Sequence, residues 1–119
     1  MDGGSACDIS LADTPSLLLG VEGGSYEIID ATAARCTLAL CAEALGIMDS
    51  IKTMTVDYLR TRQQFGTVLG KFQALQHRTA QMLLEIEQAK SAVTNAARDL
   101  NAPTDERNRA ISAAKYSIG

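Results

Sequence analysis

Four cations, Arg60, Arg62, Lys71 and Arg78, gather between residues 60 and 78 of a 119-residue chain. A guanidinium offers a planar fork of N–H donors that matches two oxygens of a phosphate or carboxylate, so this cluster is the first candidate for contact with an anion. A solvated basic face is the other reading the same residues allow. The charge around the cluster is uneven. Residues 1–50 hold eight acids and one base, a net of −7, whereas residues 51–119 hold ten bases and six acids, a net of +4. The total is −3 and the sequence pI is about 5.0, which argues against a nucleic-acid partner.

The three cysteines offer less. Cys7, Cys36 and Cys41 are odd in number and lack a Cys-x-x-Cys spacing, so they fit neither a disulfide framework nor a zinc site, and no metal site is expected. Cys36 and Cys41 fall in an apolar helical stretch and are expected as buried, reduced thiols. The opening MDGGSACDIS has neither the basic region nor the apolar run of a secretory signal. Residues 36–48 are apolar-rich but interrupted by Thr37, Glu43 and Gly46, so no membrane span is expected and cytoplasmic residence is the default.

The elements that must position these groups are helical. Two Pro, no Trp, 4% aromatic residues and many Ala, Leu, Gln, Glu and Arg favour helix over strand. Ala34, Leu38, Cys41, Leu45 and Met48 keep helical spacing, with Ile47, Ile51, Met54 and Tyr58 as an adjacent stripe, predicting a helix from about Tyr26 to Arg62. Phe65–Gly70 reads as a short connection. Leu75, Thr79, Met82, Ile86, Ala89, Val93, Ala96 and Leu100 mark a second helix over Phe72–Leu100, broadened by Leu83 and Leu84. Asn101-Ala102-Pro103 stops it, Thr104 is the expected N-cap of a third helix, and Asp105 and Glu106 suit its first turn. Ala110, Ile111, Ala114 and Ile118 carry that helix to the end of the sequence.

Residues 1–24 differ, holding five of the nine glycines. Ala6–Leu11 and Leu17–Leu19 read as strands or an extended arm, and neither can form a sheet alone. The expected fold is therefore all-α: an antiparallel up-and-down bundle over residues 25–119, three helices of an incomplete four-helix-bundle domain, with an extended N-terminal arm over residues 1–24. Helical sequence persists at Gly119, and two long helices with broad apolar faces want more than one short partner. Truncation is the expectation, and self-association through uncovered apolar faces its consequence.

The stretch YLRTRQQFGTVLGKFQALQH, Tyr58 to His77, resembles the acyl-CoA dehydrogenase family. The matching pattern is an Arg, two residues, Phe-Gly, a short apolar turn, then Phe-Gln opening a helix, carried here by Arg62, Phe65, Gly66 and Gln73. Ala42-Glu-Ala-Leu-Gly-Ile-Met48 is similar to the small-residue segment of the family's first long C-terminal helix, and Ala80-Gln-Met82, Glu87-Gln-Ala89 and Ala113-Ala-Lys115 fit the helices that follow. The resemblance covers residues 20–119.

The resemblance implies a longer flavoenzyme with an N-terminal helical domain, a middle β-domain and a C-terminal four-helix bundle. Residues 1–24 would be the remnant of the middle domain. The implied cofactor is FAD, contacted at the turn by a neighbouring subunit's motif: Arg62 pairing with the pyrophosphate, Phe65 packing near the cofactor and Gln73 bonding it. Gln76 and His77 also fit the motif. A helix starting near Lys71 would offer backbone N–H groups to the same anion. On the bare residues, Phe65 could equally be bundle core and Gln73 a turn cap.

The implied reaction is α,β-dehydrogenation of an acyl-CoA thioester, with an electron-transfer acceptor and a homo-oligomer as partners. In most members the Glu base lies beyond the position matching Gly119; in a minority it lies at the position matching Cys36, which is not a carboxylate. Glu43 lies seven residues on, nearly on the same helical face but about 10.5 Å along the axis. A common family Arg aligns with Thr37, while Arg35 sits on another face. No catalytic residue is assigned, and the isolated chain is expected to be inactive. Two other readings stay open at this point: a noncatalytic subunit of a heteromeric acyl-CoA dehydrogenase, and a cofactor-free helical interaction or oligomerisation module.

Overall fold

The computed structural model describes residues 5–119. Three helices carry the fold: α1 (Ser25–Thr61), α2 (Gln73–Arg98) and α3 (Thr104–Ile118), each packed against the other two. Between α1 and α2 lies a two-rung antiparallel hairpin of β1 (Gln63–Gln64) and β2 (Thr67–Val68), followed by a 3-10 turn at Leu69–Lys71. The expected all-α architecture is present, and α1 runs through Gly46 unbroken for 37 residues, about 55 Å at 1.5 Å per residue.

The buried seam is built from small side chains. Ala34 and Cys41 of α1, Val93 and Ala96 of α2, and Ile111 and Ala114 of α3 form one cluster, with Leu38, Leu45, Leu100 and Ile118 packed around it. Ala89, Ala96 and Ala114 are fully buried, which lets the helix backbones approach closely. The predicted stripe of α2 is the one that turns inward. At the α1–α3 end an ion pair closes the seam: Arg107, the buried charged residue of the described chain, donates to Asp30, and Asn108 donates to the same carboxylate at 3.3 Å.

The assembly is a slab rather than a ball. Its extents are 74 × 33 × 15 Å and its radius of gyration is 21.6 Å, against roughly 13–14 Å for a compact domain of this length. The accessible surface is 9745 Å², where a compact chain of this mass would show about 6,200 Å². The excess is partly apolar. Leu40, Ile47, Ile51, Met54 and Tyr58 of α1 stay exposed, as do Leu83 and Leu84 of α2. The stripe that begins at Ile47 is thus an outward face, about a third of a turn away from the seam.

Several local expectations change. Cys41 is buried but Cys36 is exposed, because five residues place two side chains about 140° apart on a helix and only one can face the seam. Pro103, not Thr104, occupies the N-cap of α3: its extended backbone ends the preceding turn, and its carbonyl accepts the first helical bond, from the Arg107 amide at 2.9 Å. Asp105 and Glu106 do occupy the first turn. Neither Ala6–Leu11 nor Leu17–Leu19 is a strand; residues 5–24 carry no helix or strand, having no neighbouring strand to satisfy their backbone groups. α1 is long and apolar enough to cross a membrane by length and composition, a test that the core helix of a soluble protein also passes. Its apolar residues are divided between the seam and the outward stripe, and charged Asp30, Arg35, Glu43, Asp49 and Lys52 lie along it.

Candidate functional site

The hairpin between α1 and α2 gathers the motif. Arg62 is the C-cap of α1: its backbone turns extended, its N–H donates to the Tyr58 carbonyl at 2.8 Å, and its own carbonyl accepts the Leu69 N–H at 2.8 Å. Gln63 then pairs with Val68 and Gln64 with Thr67, so the turn consists of Phe65 and Gly66 alone. Both have positive φ, 54° and 78°, as a type I′ hairpin turn requires. Glycine adopts this region without steric cost, but a phenylalanine there is strained.

Phe65 is also 90% exposed and takes no part in the buried seam of this chain. Its ring meets Phe72 edge-to-face at 6.3 Å, so the tip leans back on the residue that precedes α2. Gln73 is the first residue of α2 and exposed; it caps no turn, and the helix begins two residues later than Lys71. Arg62, Phe65 and Gln73 therefore share one exposed connection. Arg60, Lys71, His77 and Arg78 are exposed around it, and no salt bridge engages Arg62 or Lys71 among the described residues. The groove beneath, about 300 Å³, runs between α1 and α2 and is lined by Leu59, Arg60, Gly70, Gln76 and Leu83 among others.

Sequence reading missed how the hairpin is held. The Gln76 side-chain amide donates to the Gly70 carbonyl at 2.8 Å, and Gly70 itself rests on the last turn of α1. The glycine at residue 70 was the available signal. The perturbed carboxylates lie elsewhere: a hydrogen bond from Lys52 holds Asp49 below the usual carboxylate range, and one from Arg98 does the same for Asp99. Cys36 and Glu43 both stand exposed on α1. No group of three or more His, Cys, Asp or Glu side chains able to hold a metal occurs among the described residues.

A strained aromatic at an exposed tip contributes little to folding. Phe65→Asn is expected to hold Tm or raise it by a few degrees. Asparagine tolerates the left-handed region, relieving about 1 kcal/mol of strain, while an exposed aromatic pair is worth about 0.5 kcal/mol. Calorimetry showing a fall of more than about 5 °C would place Phe65 among the folding determinants instead.

The family described as "Acyl-CoA dehydrogenase, C-terminal domain" matches residues 26–119. Acyl-CoA dehydrogenase FadE34 of Mycobacterium tuberculosis is 39% identical over 110 residues, 92% of this chain and 14% of that protein. The short-chain specific acyl-CoA dehydrogenase of Megasphaera elsdenii is 36% identical over 80 residues, 67% of this chain and 21% of its own length. The mitochondrial short/branched chain specific acyl-CoA dehydrogenase of Bos taurus is 33% identical over 85 residues, 71% of this chain and 20% of its own. No solved structure matches the chain. An all-helical slab with this hairpin, matched over α1, α2 and α3, defines the class: the chain belongs to the acyl-CoA dehydrogenase family, in its C-terminal domain. It spans about a fifth or less of the length of these three relatives.

Proposed function

We propose that this chain is the C-terminal helical domain of an FAD-dependent acyl-CoA dehydrogenase, and that the hairpin between α1 and α2 is where the domain meets the cofactor of a neighbouring subunit. One observation carries the reading: a strained phenylalanine with φ of 54° stands 90% exposed three residues after an exposed arginine. Strain of this kind persists where the surroundings impose it, and it concentrates at ligand contacts.

The residues present fit the group. Arg62 offers a guanidinium to the pyrophosphate, with Lys71 as a nearby ammonium. Phe65 offers a flat apolar face, and Gln73 a side-chain amide at the start of α2. FAD, when bound, supplies the hydride-accepting chemistry of α,β-dehydrogenation. This chain's share is to bind and orient it. The connection from Arg62 to Gln73 contains no Asp or Glu to serve as a base. Glu43 lies on the outward stripe of α1, more than twenty ångströms along the helix from Arg62 at roughly 1.5 Å per residue.

Three further assignments belong to the same reading. Acyl-CoA and an electron-transfer acceptor are partners of the full-length enzyme. The outward apolar stripes of α1 and α2 are subunit and domain contacts, for which the flat shape and excess surface are the support. Residues 1–24 are the end of a preceding β-domain, consistent with their lack of regular structure over 5–24. The test is flavin reduction. The full-length enzyme should purify with FAD whose absorbance bleaches on addition of an acyl-CoA from a series of chain lengths, and the 119-residue chain with added FAD should give no turnover. A full-length protein that binds no flavin contradicts the reading.

A further inference from the structure

We infer that Gln76 is the positioning residue of the hairpin: by donating its side-chain amide to the Gly70 carbonyl, it fixes the tilt of Gln63–Val68 and so the placement of Arg62 and Phe65. The inference rests on the cofactor-contact reading and deepens it.

The need for an anchor follows from the hairpin's size. Two rungs of ladder are too few to hold an orientation in water, so the tilt must be set from outside. A chain of five contacts does this. Gln76 Nε2 donates to the Gly70 carbonyl at 2.8 Å. Gly70 is pressed against α1, where an added Cβ would come within 3.0 Å of the Leu59 carbonyl oxygen and 3.9 Å of the Leu59 Cβ. The neighbouring Leu69 N–H donates to the Arg62 carbonyl at 2.8 Å, tying the turn to the end of α1. Phe72, whose N–H donates to the Leu69 carbonyl at 3.0 Å, sets its ring against that of Phe65 at the tip.

Gln76 is singled out by what its bond does not serve. The backbone of α2 is already satisfied there, since the Gln76 N–H donates to the Phe72 carbonyl at 3.1 Å. Every other hydrogen bond from a side chain to the backbone among the described residues spans four residues or fewer and stays local, most of them within a helix turn. The bond from Gln76 spans six and ties α2 to the 3-10 turn at Gly70. Through the packing of Gly70 on Leu59 it links α2, by way of that turn, to the end of α1.

The experiment follows amide hydrogen exchange by NMR on the 119-residue chain, comparing Leu69 in the hairpin base with Ala89 in the seam. Gln76→Met keeps the length of the side chain and removes the donor, and should speed Leu69 exchange roughly fivefold with Ala89 unchanged. Gln76→Lys restores an N–H donor at similar reach and should return Leu69 to within about twofold of wild type, while Gln76→Glu, whose oxygens repel the carbonyl, should exceed Gln76→Met. Gly70→Ala should loosen Leu69 with Gln76 intact. Unchanged Leu69 exchange in Gln76→Met overturns the inference, as does an equal rise at Ala89, which would make Gln76 a general stabiliser. In the full-length enzyme, titrated with FAD, Gln76→Met should weaken binding roughly fivefold and Gln76→Lys should rescue it. Leu69 loosening with unaltered FAD affinity would leave the positioning of the hairpin standing and overturn its cofactor role.

Discussion

Replacing Asp30 with alanine is expected to lower Tm by roughly 8–12 °C. Arg107 enters the seam between α1 and α3 with only a tenth of its side chain accessible, and Asp30, about 29% accessible, is its counter-charge. Without the carboxylate, a guanidinium is left buried with only Asn108, whose Oδ1 accepts from Arg107 Nε at 3.1 Å. Breaking a fully buried pair from one side costs about 3–5 kcal/mol. Partial access of water to Asp30 reduces that to about 2–3 kcal/mol. The asymmetry of the two partners gives the check. Arg107→Met should cost less, since the stranded carboxylate can reach water, and the pair Asp30→Leu with Arg107→Met should recover most of the loss. A shift below about 2 °C for Asp30→Ala, measured by calorimetry, would show that the contact contributes nothing to holding α3.

That ion pair also marks where sequence reading ran out. Asp30 and Arg107 are 77 residues apart and carry no local signal, since a charge becomes a buried partner only when two helices meet. The stripes were readable because they are periodic. Leu75 through Leu100 kept one face over seven turns, and that face is the one buried. On α1 two neighbouring stripes were equally apolar, and nothing in the residues says which faces the seam. The packing decides it: Ala34 and Cys41 turn inward with the small alanines of α2 and α3, and Ile47, Ile51 and Met54 remain outside.

The candidate site divides in the same way. Its residues were legible from type and order, because Arg62, Phe65-Gly66 and Gln73 lie within one connection. Its geometry was not. A phenylalanine is a poor choice for a left-handed turn position, so propensity pointed to a loop, whereas the Phe65-Gly66 pair closes a tight hairpin. The anchoring bond from Gln76 was hidden for a simpler reason: a glutamine on a helix surface is ordinary, and only the approach of Gly70 to Leu59 gives it a target.

Arg62→Ala is expected to weaken FAD binding by the full-length enzyme about 10- to 100-fold. A charge-assisted hydrogen bond to a phosphate is worth about 1.5–3 kcal/mol, and a guanidinium can make two in parallel. The fold should not move, since the structural role of Arg62 rests on its backbone: the N–H to Tyr58 and the carbonyl to Leu69 survive truncation of the side chain. Arg60 is the control. It carries the same charge two residues earlier, faces the groove above Gln76 and Leu83, and lies about 160° around the helix from Arg62. Nonspecific attraction by the basic cluster would weaken equally on loss of either arginine, and at about 8 Å of screening length in physiological salt that contribution is small.

The direct measurement is FAD retained per subunit after gel filtration of the full-length Arg62→Ala and Arg60→Ala enzymes, read from flavin absorbance. Loss of most of the flavin from Arg62→Ala with near-full retention in Arg60→Ala is the expected result; equal retention in both would contradict the assignment of the hairpin to the cofactor.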